Sequence, residues 1–288
     1  SLLKNLGNFW ENYYDLSLVV HRELAEVEYL NGNFENSELL INRILEEART
    51  DIEKGEIYRL LIVQYTLSAK YNLAIDALKK SLAPFNIFLP EVEMDKAIGK
   101  ELELSKSYLG NKEIGTIYNE PEMVNPEDIM AVKLLTTSLP ASYISNPQLW
   151  CIIALKATNL CLLKGNIGET YGYACYGILS ITMGNYKDGF AFCKLALDLS
   201  EKFNNIAEKC KASNVFANYG NSWIHHIRDT YKINQDGFQA GLDSGEFQHA
   251  SYITLHMPLN AFYSGQNLNQ LLKELKQLLS FSQKAKNH

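Results

Sequence analysis

Four histidines sit within a span of 32 residues: His225, His226, His249 and His256. Imidazoles at helical spacing are the usual start of a zinc site, and His249 and His256, seven apart, share one helical face. No third ligand follows at a matching spacing, so no metal site is expected. His226-Ile227-Arg228-Asp229 has the look of a kinase catalytic loop. One extra residue separates its His from its Arg, and no glycine-rich loop or Asp-Phe-Gly accompanies it. Gly99-Lys100 ends like a phosphate-binding loop, but Met94 stands where the first glycine would free the backbone to wrap a phosphate. GxSxG, HExxH and EF-hand patterns are missing as well. The acidic pairs Glu46-Glu47 and Glu101–Glu103 read as solvated helix faces. The expectation is a chain with no catalytic residue, no cofactor and no bound metal.

A different chemistry is carried by polar and aromatic residues at spacings of three, four and seven. Glu169, Tyr173, Tyr176 and Ser180 form one such set. Asn214, Asn218 and Asn221 form a second, and His249, Tyr252, His256 and Asn260 a third. These spacings keep each set on one side of its helix. Amides and phenols can hold an extended peptide backbone, or they can bond to one another across a helix stack. The three sets are therefore candidate lining of a groove, with mutual inter-helix bonding as the equal alternative. Pro258 lies inside the third helix and is expected to bend it.

The elements that must carry these faces are helical. Periodic apolar residues predict helices over 16–31 (capped by Asp15), 34–47, 51–67 (capped by Asp51), 73–82 and 91–108. The stretch 109–125, which has two glycines and Pro121 and runs into Pro126, is the least regular. Asn125-Pro126 starts the next helix, expected to stop near Pro140, and Asn146-Pro147 starts another that ends at Gly165. Tyr171–Leu199 reads as two helices joined by a turn at Met183-Gly184-Asn185-Tyr186, with Ala174, Gly177, Ala191 and Ala196 letting them approach. Helices follow over 206–219, weakly 225–233, then 235–243, 247–263 and 268–281, with a frayed tail. Gly237 and Gly241 are expected at a close helix contact, and Gly245 as a C-terminal cap. The boundaries drawn are 1–110, an irregular connector with short helices over 111–145, and 146–288.

The turns resemble one another. Leu30-Asn31-Gly32-Asn33-Phe34 matches Leu67-Ser68-Ala69-Lys70-Tyr71, and Met183-Gly184-Asn185-Tyr186 matches both. Phe34 to Tyr71 is 37 residues, and Tyr71 to Tyr186 is 115, about three periods of 38. Small residues flank each turn. This is the layout of tetratricopeptide-like repeats, in a degenerate form. The predicted fold is all-α: a right-handed solenoid of antiparallel hairpins with about 12 to 14 helices.

Composition agrees. At 288 residues, 47% apolar and 21% charged, the chain can bury a large core. The net charge of −6, with no basic stripe, disfavours nucleic acid. Five cysteines without a CxxC read as buried thiols of a reducing compartment. No apolar run approaches the ~20 residues a membrane span needs, so no membrane insertion and a cytoplasmic location are expected. Ser1 in place of Met reads as a piece of a longer protein or a cloning scar.

Several stretches resemble one family. They are Glu56-Ile57-Tyr58-Arg59-Leu60-Leu61, LPASYISNPQLW (139–150), NYKDGFAFCKLALDLSEKF (185–203) and FQAGLDSGEFQHASY (238–252). They are similar to the long helical region of multidomain bacterial and fungal hybrid signalling kinases. There, a Ser/Thr-kinase-like domain and a predicted NTPase domain precede the region, and a GAF sensor and a histidine kinase often follow. The resemblance runs from about residue 16 to 270 and rests on packing motifs. The family's Asn-His-Trp is Asn221-Ser222-Trp223 here, so no ligand role is carried over for its histidine. None of the family's catalytic residues fall in this segment. The resemblance implies a non-catalytic regulatory and interaction scaffold whose partners are proteins or flanking domains of the same polypeptide. A self-standing peptide-binding adaptor with an open groove at Tyr173, Asn218 and Tyr252 is the first alternative. A helical small-molecule sensor is the second.

Overall fold

The computed structural model describes residues 9–284, and most of these are helical. In chain order the helices are α1 (Phe9–Asn12), α2 (Tyr14–Leu30), α3 (Phe34–Glu47), α4 (Asp51–Leu67), α5 (Tyr71–Leu82), α6 (Met94–Leu109) and α7 (Pro126–Ser145). They continue with α8 (Pro147–Lys164), α9 (Tyr171–Thr182), α10 (Tyr186–Lys202), α11 (Ile206–Val215), α12 (Thr230–Ser244), α13 (Phe247–Tyr263) and α14 (Leu268–Lys284). Among the described residues there is no strand, only an isolated parallel bridge between Glu122 and Asn166. No helix among them is long and apolar enough to cross a membrane. The first eight residues and most of the tail expected to fray lie outside the described residues. The chain divides into two compact units. One holds the chain up to Met94 together with Asn125–Ile153, the other Asp95–Val124 together with the chain from Ala154 onward.

In the first unit α2 packs on α3 and α4 on α5, and α7 lies against both α4 and α5. Gly55 makes room for the Met130 side chain, since a methyl at that position would collide with its Cγ and Sδ. Beside it the Glu56 carboxylate meets Arg59 at 3.0 Å and Lys133 at 3.3 Å, and Arg59 donates to Thr137. Burial alone would raise the Glu56 carboxyl; the two cations outweigh it and hold the group below its ordinary value. Residues 126–145, expected as part of a connector with short helices, form the twenty-residue α7. The helix does not stop at Pro140. A proline in a helix interior costs about 3 kcal/mol. Burying Met130, Leu134, Leu135 and Leu139 returns about 1.5–3 kcal/mol each. Packing outweighs the break.

Other ends shift for local reasons. The cap of α4 is Thr50, not Asp51: its hydroxyl accepts from the Glu53 amide and Glu53 answers the Thr50 amide, a reciprocal capping box. Helix α2 starts at Tyr14, ahead of the expected Asp15 cap. Asn125 and Pro126 do start α7, with the Asn125 side chain accepting from Glu127 and Asp128. The weak element expected over 225–233 and the helix expected over 235–243 meet in one helix, α12, entered through a short turn of 3₁₀ helix, Ile227–Asp229. Gly245 ends α12 in the left-handed region, as expected.

The three turns that match in sequence share one backbone geometry. At Gly32, Ala69 and Gly184 φ is +81°, +55° and +86°. The residue after each donates to a carbonyl five positions back, and the left-handed residue itself to one three back. Asn204 and Gly265 repeat both bonds. This doubly bonded exit satisfies carbonyls that a helix end leaves open.

In the second unit the closest pairing is α9 on α10. A Cβ on Gly177 would meet the Gly189 carbonyl at 2.8 Å, and one on Gly189 would meet the Gly177 carbonyl. The backbones touch, and Phe192, Cys193, Leu195, Ala196 and Leu199 fill the rest. Asn166, fully buried, fastens the 117–123 segment: its Nδ2 donates to Ile117 O and its main chain bonds Pro121 and Met123. Glu101 is held by Lys156 at 2.7 Å and by the Asn159 amide at 2.9 Å, and Ser105 donates to Asn159. All five cysteines are free thiols; Cys161, Cys175, Cys193 and Cys210 are buried and Cys151 is half-buried. Burial pushes the Cys161, Cys193 and Cys210 thiols up to about 12.

Candidate functional site

The polar interior of α11, α12 and α13 is built on asparagines one turn apart. Helix α11 does not continue regularly to Tyr219; it widens into a π-helical turn over Phe216–Gly220, which holds Asn218. Asn218 Nδ2 donates to Asn214 and to Asn234 Oδ1 at 3.0 Å, and Asn234 Nδ2 answers to Asn218 Oδ1 at 3.0 Å. Asn260 reaches in from α13, donating to Asn218 Oδ1 at 2.9 Å and to Thr230 Oγ1 at 3.1 Å. Thr230 spends its own hydrogen on the Ile227 carbonyl at 2.7 Å. A carbonyl only accepts, so Thr230 must accept from Asn260, and the Asn260 amide is oriented nitrogen-inward. Both its N–H groups are spent. Its Oδ1 accepts no hydrogen bond among the described residues.

A second polar nest sits where α9, α11 and α13 begin. Glu208, 3% exposed, accepts from the first amide of α9, Tyr171 N, at 2.8 Å and pairs with Lys211 at 2.8 Å. Lys211 also stands 3.8 Å from Glu246, whose carboxylate caps α13 through the His249 amide and meets His249 Nδ1 at 3.1 Å. Anions are favoured at helix N-termini, so each acid offsets a dipole as well as a cation. Burial would raise the Glu246 carboxyl; the His249 hydrogen bond and Lys211 overcome that and hold it down at about 2. The buried His249 ring lies edge-on to Tyr171 and Tyr252, 5.0 and 5.4 Å between centroids. Its Nε2 is buried with no hydrogen-bond partner among the described residues. The same described residues hold no cluster of three or more groups fit to bind a metal ion.

The residues proposed as groove lining divide into separate groups. Tyr173 is 2% exposed; its hydroxyl donates to Asn166 at 3.2 Å and its ring lies near Phe192. Tyr176 and Ser180 are buried, Tyr176 edge-on to Phe192 at 4.5 Å. That face of α9 belongs to the core, because Gly177 turns it onto α10; Glu169, half-buried, precedes the helix. The face of α9 that meets the Tyr219, Tyr252 and His249 side chains is that of Tyr171 and Cys175. Asn214, Asn218 and Asn260 do come together, but bonded to one another. Asn221 is buried with its Nδ2 unpartnered among the described residues. His256 lies edge-on to Tyr219, and burial lowers its pKa. Tyr252 keeps about a third of its surface exposed and accepts from Gln248. Tyr173, Asn218 and Tyr252 therefore do not line one open groove.

What the sequence left unmarked is Asn234, Thr230 and the Glu208–Lys211–Glu246 set, and Arg228 stood out only in the kinase-loop look-alike. Thr230 and Asn234 are four apart on one helix face, a signal that was hidden by dividing α12 in two. Next to the amide network is a cavity of about 400 Å³. Arg228, Thr230, Tyr231, Asn234, Met257 and Asn260 line it, with Ser264, Gln266 and Gln270 along the α13–α14 side. The exposed Arg228 guanidinium is held by two bonds to the Ser264 carbonyl, 3.3 and 3.2 Å, and pairs with no carboxylate among the described residues. Tyr186 and Trp223 stack at 4.3 Å while each stays about half exposed.

No family model matches the chain. One curated protein does resemble it: hybrid signal transduction histidine kinase G of Dictyostelium discoideum. It is 21% identical over 295 aligned residues, covering 94% of this chain and 8% of that protein. The chain thus spans less than a tenth of the relative's length. This weak similarity to a hybrid histidine kinase runs over most of the chain, as the resemblance read from the sequence does.

Proposed function

We propose that this chain is a non-catalytic regulatory region of a hybrid signalling kinase. It couples a kinase or NTPase part to sensor and histidine-kinase parts, with proteins or flanking domains as partners and the cytoplasm as its location. The observation that carries this is the match of nearly the whole chain to a small part of a hybrid histidine kinase. The recurring doubly bonded turn and the glycine-mediated hairpin support a tetratricopeptide-like solenoid, in which units contact their neighbours and shift together. Glu208, which is buried, and Glu246 are engaged at helix starts. The exposed Tyr186–Trp223 stack offers an aromatic surface of the kind enriched at protein interfaces.

The test begins with the complete reading frame around this chain. The intact protein is then assayed for histidine autophosphorylation, with and without Trp223→Ala. The expected result is an ATP-binding kinase part in the same polypeptide and an altered response to stimulus at an unchanged folding transition. A reading frame without any kinase or ATPase part overturns the proposal, and so does a response unaffected by removal of the whole helical region.

A further inference from the structure

The cavity beside the amide network offers three features that point to one ligand chemistry. The first is a cation without an acid: Arg228 is anchored on the Ser264 carbonyl and makes no ion pair among the described residues. A guanidinium so held keeps donors for a carboxylate. The second is an oriented acceptor. Thr230 and Asn218 consume both N–H groups of Asn260, so the amide oxygen of this lining residue is what remains for a ligand. The third is distance. Ser264 donates its amide to the Asn260 carbonyl, one helical turn back. The residue that anchors Arg228 and the residue that offers the acceptor thus lie one turn apart on α13. A molecule that meets both within this one cavity carries an anionic end and a donor end and is small.

We propose that this cavity binds a small amino-acid-like zwitterion, with its carboxylate on Arg228 and its ammonium on the Asn260 amide oxygen. Glu274 adds to the preference. It stands behind the lining, where Gln266 and Gln270 both donate to its Oε1 at 3.0 and 3.3 Å. Its negative charge favours an ammonium and opposes a doubly charged anion such as phosphate. The Tyr231 phenol, its pKa raised by partial desolvation and by the same carboxylate, lines the site as a neutral hydroxyl. Met257 and Ala261 supply the apolar wall for a short side chain. A volume of about 400 Å³ is at the small end of ligand sites.

This inference goes beyond the signalling role, and its test does not depend on it. The 288-residue chain is titrated with glycine, L-alanine and L-serine by calorimetry, with thermal unfolding in parallel. Propionate, propylamine and inorganic phosphate serve as half-ligands. At least one zwitterion is expected to bind and raise the unfolding midpoint. Arg228→Gln should weaken it at least tenfold, the loss expected for a bond to a charged group. The unliganded midpoint should not move, because Arg228 is exposed. The proposal is overturned if none of the three binds at about 10 mM, ten times a millimolar Kd. It is equally overturned if Arg228→Gln binds as well as the native chain, or if propionate or phosphate binds as tightly as the zwitterions.

Discussion

Helices α9 and α10 and helices α11 to α13 are neighbours in the same unit, yet they are held together differently. Between α9 and α10 the backbones meet at Gly177 and Gly189, and the space beside them is filled with Phe192, Leu195 and Leu199. Among α11, α12 and α13, glycines also allow contact, Gly237 against Ser213 and Gly241 against Ala250 and Cys210. Their middle, however, is occupied by four asparagines, and one end by a Glu–Lys–Glu–His cluster. The first region is closed by touching backbones and apolar side chains. The second is polar inside and retains an unpartnered amide oxygen beside a cavity. Close packing specifies a position; a polar network specifies a position and can also receive a ligand.

The largest effect is expected where the backbones touch. Gly177→Val drives a side chain into Cys193 and the Gly189 carbonyl and should cost about 3 kcal/mol in urea unfolding. A cost under about 1 kcal/mol would mean the contact can spread, and the contrast between the regions would fail. Next is the acid cluster. Glu246 ordinarily titrates at 4.5 and is held at about 2 in the fold. A depressed carboxyl contributes stability that is complete above pH 4.5 and is lost as pH falls toward 2. The native chain should lose on the order of 2 to 3 kcal/mol more than Glu246→Gln across that window. Equal acid profiles for the two would remove Glu246 from the account. Asn218→Ala strands the Asn234 and Asn260 amides and should cost about 2 kcal/mol. A neutral Asn218→Ala would show water already serving the network. Smallest is the turn common to both regions. Gly184→Ala should cost about 1 kcal/mol at its positive φ, while Asn204→Gly should stay within a few tenths. A large difference between these two turns would mean that the turns, and not the interiors, set the regions apart.

Much of this was legible before the structure. The Phe247–Tyr263 helix, the Gly184 turn, the Asn125-Pro126 start and the close glycines are local signals, carried by residue types whose conformations are restricted. What was missed is tertiary. Pro140 should end a helix, but α7 is buried against α4 and α5, and no local pattern records that. Tyr173 and Tyr171 sit on opposite sides of α9, and both have polar tips. Which one faces α13 is decided by Gly177, through the face it turns toward α10. The asparagines were found by spacing. That they satisfy one another could not be known until Asn234 was placed between them.

The buried cysteines give each region a chemical clock. Cys193 lies in the α9–α10 contact and Cys210 among α11 to α13, each with its thiol pushed up to about 12 by burial. A thiol in that state reacts with an alkylating reagent only while its surroundings are open. The rates at which these two sulfurs are labelled in the folded protein therefore measure two separate opening equilibria, without any introduced probe. A ligand held by Arg228 and Asn260 would slow the second clock and leave the first unchanged.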